Sequence, residues 1–199
     1  MELVPTVISA GWAAGVNSYA TIALLGILGR AGVGDVPDAL TQKPVIATAL
    51  VLFAIEFVVD KVPYLDTTWD VVQTPIRPAV GAVVGALFAG DANVHAIDDA
   101  LAAAGGGTTA FASHAVKASV RLGVNASPEP ASNIAVSLIE DGLVALVIAL
   151  ALDHPWISLA IVAVLLAGGL SLVFVIQRRI RRAWGRWRRR HDRSPPDDP

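Results

Sequence analysis

Two apolar stretches of this chain carry acids where a membrane helix would tolerate them least. Glu56 and Asp60 close the run PVIATALVLFAIEFVVDK, and Glu140 and Asp141 stand in the middle of NIAVSLIEDGLVALVIALAL. A charge at the centre of a bilayer helix costs roughly 2.5–3.5 kcal/mol on insertion scales, so such residues persist where they face a protein interior or a wet cavity. For the second stretch, two acids cost ~5–7 kcal/mol while its strongly apolar residues return ~3–7 kcal/mol. Insertion is therefore near break-even unless the acids are paired or neutral. These residues constrain the fold to one that gathers them inside, and they mark where function should be sought.

The apolar excess lies in runs. Of the 199 residues, 54% are hydrophobic, above the ~45–50% of a soluble domain. Six candidate spans emerge, at residues 4–29, 44–62, 76–90, 101–122, 132–152 and 156–176, against the ~20 residues that a helix needs to cross ~30 Å of hydrocarbon. The third is short. The fourth (LAAAGGGTTAFASHAVKASVRL) is polar and glycine-rich and should lie inside a bundle. The fold expected is an all-α polytopic membrane bundle of about six helices over residues 1–177, followed by an Arg-rich tail over 178–199 whose SPPDDP end should be disordered. The start, MELVPTVISAGWAAG, lacks a basic region and reads as a retained helix rather than a signal peptide.

Nine of the 15 basic residues are arginines between Arg178 and Arg193. The positive-inside rule places that tail in the cytoplasm, and six spans would place the N-terminus there too, in a multi-pass protein of the cell membrane. Arginine and tryptophan (Trp184, Trp187) in the tail suit anionic lipid head groups. Nucleic acid is not an expected partner; a homo-oligomer, most simply a dimer, is. Cysteine is absent, which excludes disulfides, thiol nucleophiles and thiolate metal sites. No P-loop, dinucleotide fingerprint, H-E-x-x-H or G-x-S-x-G motif is found.

Gly15, Arg30 and Gly32 match Gly106, Arg121 and Gly123 at one constant offset, and each stretch is followed by a Pro-containing loop and an acid-bearing apolar helix. Two three-span halves of opposite orientation would follow, the inverted-repeat plan of many transporters. At a rise of 1.5 Å per residue, Glu140 and His114 lie ~14 Å from the cytoplasmic surface and Lys117 and Glu56 ~9 Å, with Asp60 shallower, so they can share one layer. Glu56 and Asp60 are i,i+4 and lie on one face. Asn133, Ser137 and Asp141 form a stripe with Glu140 one step round it, opposite a basic stripe of His114, Lys117 and Arg121. Glu56, Asp60, Glu140, Asp141, Asn133, Ser137 and mid-span Asn17 are the candidate ion or substrate ligands. His114, Lys117, Arg121, Lys61 and Arg77 are the candidate counter-charges. In the loop KVPYLDTTWDVVQTPIRPAV, Asp66 and Asp70 are spaced to share a hard divalent cation, the one cofactor considered, or to pair with Arg77.

The strings Gly15-Val-Asn17-Ser-Tyr19, Glu56-Phe-Val-Val-Asp60-Lys61-Val-Pro63-Tyr-Leu-Asp66, Trp69-Asp70, Arg77-Pro78, His114-Ala-Val-Lys117, Arg121 and Asn125-Ala-Ser127-Pro128-Glu129-Pro130, with Asn133, Ser137 and Glu140-Asp141, resemble a bacterial membrane family known as domain of unknown function 4126. The resemblance spans about residues 11–142 and implies a small polytopic protein without implying an activity. E-F-V-V-D-K is also loosely similar to the E-x-G-D-K signature of small cation exchangers, lacking its middle glycine.

Function is expected to be that of a small transporter or channel for a cation or a proton-coupled solute. The alternatives are a membrane enzyme acting on a lipid phosphate at the cytoplasmic face and a non-catalytic scaffold.

Overall fold

The computed structural model describes residues 2–62, 64–92, 96–125 and 130–191, with the side chains of residues 96, 97, 130, 176 and 179–191 outside the description, as is the SPPDDP end. Eight helices follow in order: α1 (Leu3–Val16), α2 (Ser18–Arg30), α3 (Asp38–Thr41), α4 (Lys43–Val59), α5 (Leu65–Asp91), α6 (Ala96–Asn125), α7 (Pro130–Asp153) and α8 (Pro155–His191). No strand occurs among the described residues. Among the described residues, three helices are long and apolar enough to cross a membrane: Leu65–Asp91, Ala131–Asp153 and Pro155–Val175. The surface agrees, because Val51, Val58, Val71 and Val164 face outward while Glu56, Asp66, Gln73, Arg77 and Arg121 are fully enclosed. A soluble protein sorts its side chains the other way. The chain is an all-helical membrane protein.

The sequence expectations are corrected at two places. The first span is not one helix: α1 stops at Val16, Asn17 is extended (φ −151°, ψ 100°), and α2 restarts at Ser18. The segment read as a loop around Asp66 and Asp70 is helical, since α5 runs 27 residues from Leu65 and keeps Pro75 and Pro78 in its interior. Those prolines leave the carbonyls of Val71 and Thr74 without their usual i+4 donors, a defect that tertiary packing has to offset. At the other end of the chain α8 runs unbroken past position 178 to His191, so the arginine-rich stretch begins as a continuation of the apolar helix. Elsewhere the ends follow local chemistry. Lys43 and Pro44 open α4, where a missing N–H costs nothing, and α7 meets α8 at His154 just before Pro155.

Small residues let α1, α5 and α6 touch backbone to backbone. A Cβ added at Gly11 would come within 2.6 Å of the Gly106 carbonyl oxygen, and one at Gly81 within 2.7 Å of the same atom. Gly85 lies as close against the Ala102 carbonyl, and Gly15 against Ala110 and Ser113. This is the packing expected of helices in lipid, where close approach replaces the hydrophobic drive between them. The glycine-rich α6 buries the face carrying Ala102, Ala110 and Ser113, while Leu101, Phe111 and Leu122 on its other side stay exposed. Val7, Trp12, Leu25, Phe88, Val144, Ile148 and Val162 fill the apolar core alongside. Among the described residues, one non-glycine takes a positive φ, Tyr64 (φ 69°), at the corner from α4 into α5. That corner turns Asp60 and Asp66 toward the same arginine of α6, as described next.

Candidate functional site: a buried charge layer around a broken helix

In α5, Asp66, Asp70, Gln73 and Arg77 fall at i, i+4, i+7 and i+11, one stripe of a helix. All four are buried. In α6, Ser113, Lys117, Arg121 and Asn125 form a second buried stripe at intervals of four. Glu56 and Asp60 at the end of α4, and Asn133, Ser137, Glu140 and Asp141 on α7, complete the layer.

Arg77 donates from Nη2 to Glu56 Oε1 at 2.6 Å and from Nη1 to His114 Nδ1 at 2.9 Å, and its Nη1 lies 3.1 Å from Asp70 Oδ1. A guanidinium can only donate, so His114 accepts at Nδ1 and carries its proton on Nε2, which faces Thr74 Oγ1 at 3.1 Å. The Thr74 hydroxyl in turn donates a hydrogen bond to the Asp70 backbone carbonyl at 2.9 Å. His114 is therefore a neutral hydrogen-bond partner of Arg77, not the counter-charge expected of it.

Lys117 Nζ donates to Asp60 Oδ2 at 2.8 Å and to the Val16 carbonyl at 3.0 Å, with Glu140 Oε2 at 3.7 Å and Glu56 Oε1 at 3.8 Å. Arg121 grips Glu140 through both oxygens (Nη2–Oε2 2.5 Å, Nε–Oε1 3.3 Å). Its Nη1 donates to the Asp60 carbonyl at 2.7 Å, to Asn133 Oδ1 at 3.0 Å and to Asp66 Oδ2 at 3.4 Å. The Asp60 carbonyl closes α4, so the guanidinium also meets the negative end of that helix. Asn133 adds a bond from Nδ2 to the same carbonyl. Lys61 reaches Ser137 Oγ at 3.2 Å from above the Phe57 ring.

Asn17 does two jobs at the break. Its Oδ1 accepts from the Ala20 N–H and caps α2, and its Nδ2 donates to Asp141 Oδ1 at 3.2 Å. Interrupting a helix frees carbonyls that must find other donors. Here Ser18 Oγ takes the Ala14 carbonyl, Arg77 the Gly15 carbonyl at 3.4 Å and Lys117 the Val16 carbonyl. Two of the three freed groups are thus bound by the cations of the layer. Asn17→Ala is expected to cost about 1–2 kcal/mol through the lost cap, and more if Asp141 then lacks a donor. A drop in the midpoint of thermal denaturation in detergent would register this; an unchanged midpoint would show that the break holds without Asn17.

Every predicted site residue lies in this layer. Asp66 and Asp70 share a face but have separate partners: Asp66 accepts from Asn125 at 2.8 Å and from Arg121, while Asp70 lies against Arg77. Among the described residues no three His, Asp or Glu side chains are grouped as metal ligands. Reading 61–80 as a loop hid Gln73 and Thr74, and Asn125 was not among the expected site residues. The i, i+4, i+7, i+11 spacing from Asp66 was the available signal. Six carboxylates (Glu56, Asp60, Asp66, Asp70, Glu140, Asp141) face four bases (Lys61, Arg77, Lys117, Arg121) across the layer. Glu56 Oε2, Asp60 Oδ1 and Asp141 Oδ2 are buried oxygens without a hydrogen-bond partner among the described residues.

A family model described as a domain of unknown function (DUF4126) matches residues 4–175, further in both directions than the motif strings. No curated protein and no solved structure matches the chain. With most of its length covered, the chain belongs to the DUF4126 family, an uncharacterised group defined by sequence.

Proposed function

We propose that this protein is a small multi-pass transporter or channel that passes a cation, or a proton coupled to a solute, through the buried charge layer. The observation carrying this reading is the broken helix. The carbonyl pole of α1 ends among Lys117 and Arg77, and the residue between the halves is tied to Asp141. Discontinuous helices whose ends meet ionic groups are how many transporters build a site inside the bilayer. The charge count supports the sign of the cargo. Two carboxylates in excess of the bases, enclosed in a low-dielectric interior, call for a cation or protons to balance them.

In this reading the α1–α2 pair, α4, α5, α6, α7 and α8 make six crossings with both termini cytoplasmic. The 17 residues of α4 span ~25 Å and the 30 of α6 ~45 Å, which brackets the bilayer core. A division into two inverted halves is part of the proposal, supported by the glycine-arginine-glycine match; the partners differ, since Arg121 is enclosed and Arg30 is exposed.

Reconstitution into liposomes tests the reading. Flux of H⁺, Na⁺, Ca²⁺, Mn²⁺ or Mg²⁺ above empty vesicles is expected, reduced at least ~10-fold by Glu56→Gln and by Glu140→Gln, as for loss of a charged ligand worth about 1.4 kcal/mol or more. Flux that neither substitution changes would remove the proposal.

A further inference from the structure

An apolar cavity of about 300 Å³ lies beside the charge layer, between α1, α6, α7 and α8. Trp12, Val120, Ile139, Leu143 and Leu166 line it, and its charged lining residues are Lys117 and Glu140. Ser113 also reaches it, but its hydroxyl is committed to the Trp12 and Ala110 carbonyls. One wall is firm, because α8 crosses α6 at Gly169, where an added Cβ would lie 2.5 Å from Val116. The cavity therefore has an apolar body and a charged end, the outline of a site for an amphiphile.

The sign of the head group follows from which charge is presented. The Glu140 side chain is 14% exposed and that of Lys117 is 2% exposed, so Glu140 is the less enclosed of the two. Lys117 is also enclosed by Asp60, Glu56, Glu140 and the Val16 carbonyl. An anionic head would raise a carboxylate excess of two to three, whereas a cationic head lowers it to one. A head group with N–H donors can share Glu140 with Arg121 and leave Lys117 in place.

We infer that this cavity binds an amphipathic monovalent amine, its ammonium on Glu140 and its apolar chain or ring against Trp12, Ile139 and Leu143. As a statement about cargo this rests on the transport reading; as a statement about binding it rests on the cavity and its charged end.

The test uses the full chain in nanodiscs of zwitterionic lipid. Octylammonium, octanoate and octanol, equal in chain length, are titrated by calorimetry against empty nanodiscs and by Trp12 fluorescence, isolated by difference from Trp12→Phe. Octylammonium is expected to bind at least tenfold more tightly than the other two, and to lose at least tenfold in Glu140→Gln. Because that substitution also weakens the hold on Arg121, Leu143→Trp provides an arm that fills the cavity without altering a charge, and it should abolish binding. Tighter binding of octanoate, lost in Lys117→Gln, would overturn the inference in favour of an anionic amphiphile. Equal affinities for all three would reduce the cavity to apolar adsorption and overturn it as well, as would the absence of binding. Ion flux without octylammonium binding would remove this inference alone; octylammonium binding in a protein that carries no flux would remove the transport reading and leave the site standing.

Discussion

Arg121→Met is expected to lose about 3–5 kcal/mol, read as a large fall in the denaturation midpoint in mild detergent. The change strips the bidentate partner from Glu140 and a donor from the Asp60 carbonyl, Asn133 and Asp66, leaving charge buried without its counterpart. Against a total stability of ~5–15 kcal/mol that is a severe loss. The cost arises mostly from what remains unpaired, so the pair matters more than the arginine. Arg121→Met combined with Glu140→Leu should recover about 1–3 kcal/mol of the loss, the coupling of directly contacting residues. Denaturation midpoints of the two single variants and the double variant measure this. Strict additivity would mean that Arg121 acts on Asp60 and Asp66 and that Glu140 is incidental to it.

Gly15→Ala comes next in size, through a different mechanism. The new methyl would overlap Ser113 Oγ and the backbone carbonyl of Ala110 on α6. The serine can turn away, but the carbonyl belongs to a helix and cannot, so α1 must shift by about the width of the overlap. A cost of ~1–3 kcal/mol or more is expected, typical of overpacking. The shift would also displace the Val16 carbonyl from Lys117, one residue on. Gly142→Ala is the matched control, with nothing within 4 Å of its added Cβ. There the gain in helix propensity should raise stability by ~0.5–1 kcal/mol. Equal effects of the two substitutions on the thermal midpoint would sink the account of close helix contact.

The charge layer was legible because its members violate their surroundings. An acid in an apolar run has few places to go, and depth and face could be read from helical rise. That arithmetic puts Glu56, Asp60, His114, Lys117 and Glu140 in one layer, and the helical face adds Arg121. The break at Asn17 was not legible. Val16-Asn17-Ser18 contains neither glycine nor proline, and the interruption is held by Arg77 and Lys117, which are 60 or more positions away in the chain. Asp66 and Asp70 were misplaced for the opposite reason. Pro63, Pro75 and Pro78 are strong local signals for a loop, and burial of the Asp66–Arg77 stripe outweighs them. His114 was given the wrong role because its charge depends on a neighbour: only beside a guanidinium does the ring have to act as an acceptor.

The glycine contacts among α1, α5 and α6 limit how this molecule can move. Three backbones in direct touch have no compliant side chains between them, so they cannot slide without collision and must travel as a unit. The polar ties from that unit to α7 include Arg121 to Glu140 and Asn133, Lys117 to Glu140, Thr6 to the Ala151 carbonyl and, at the break, Asn17 to Asp141. Any excursion that admits a solute would thus be a swing of α7 away from a stiff trio, with those clasps opening first, and the hinge would be sought at the turn through His154 rather than within the trio itself.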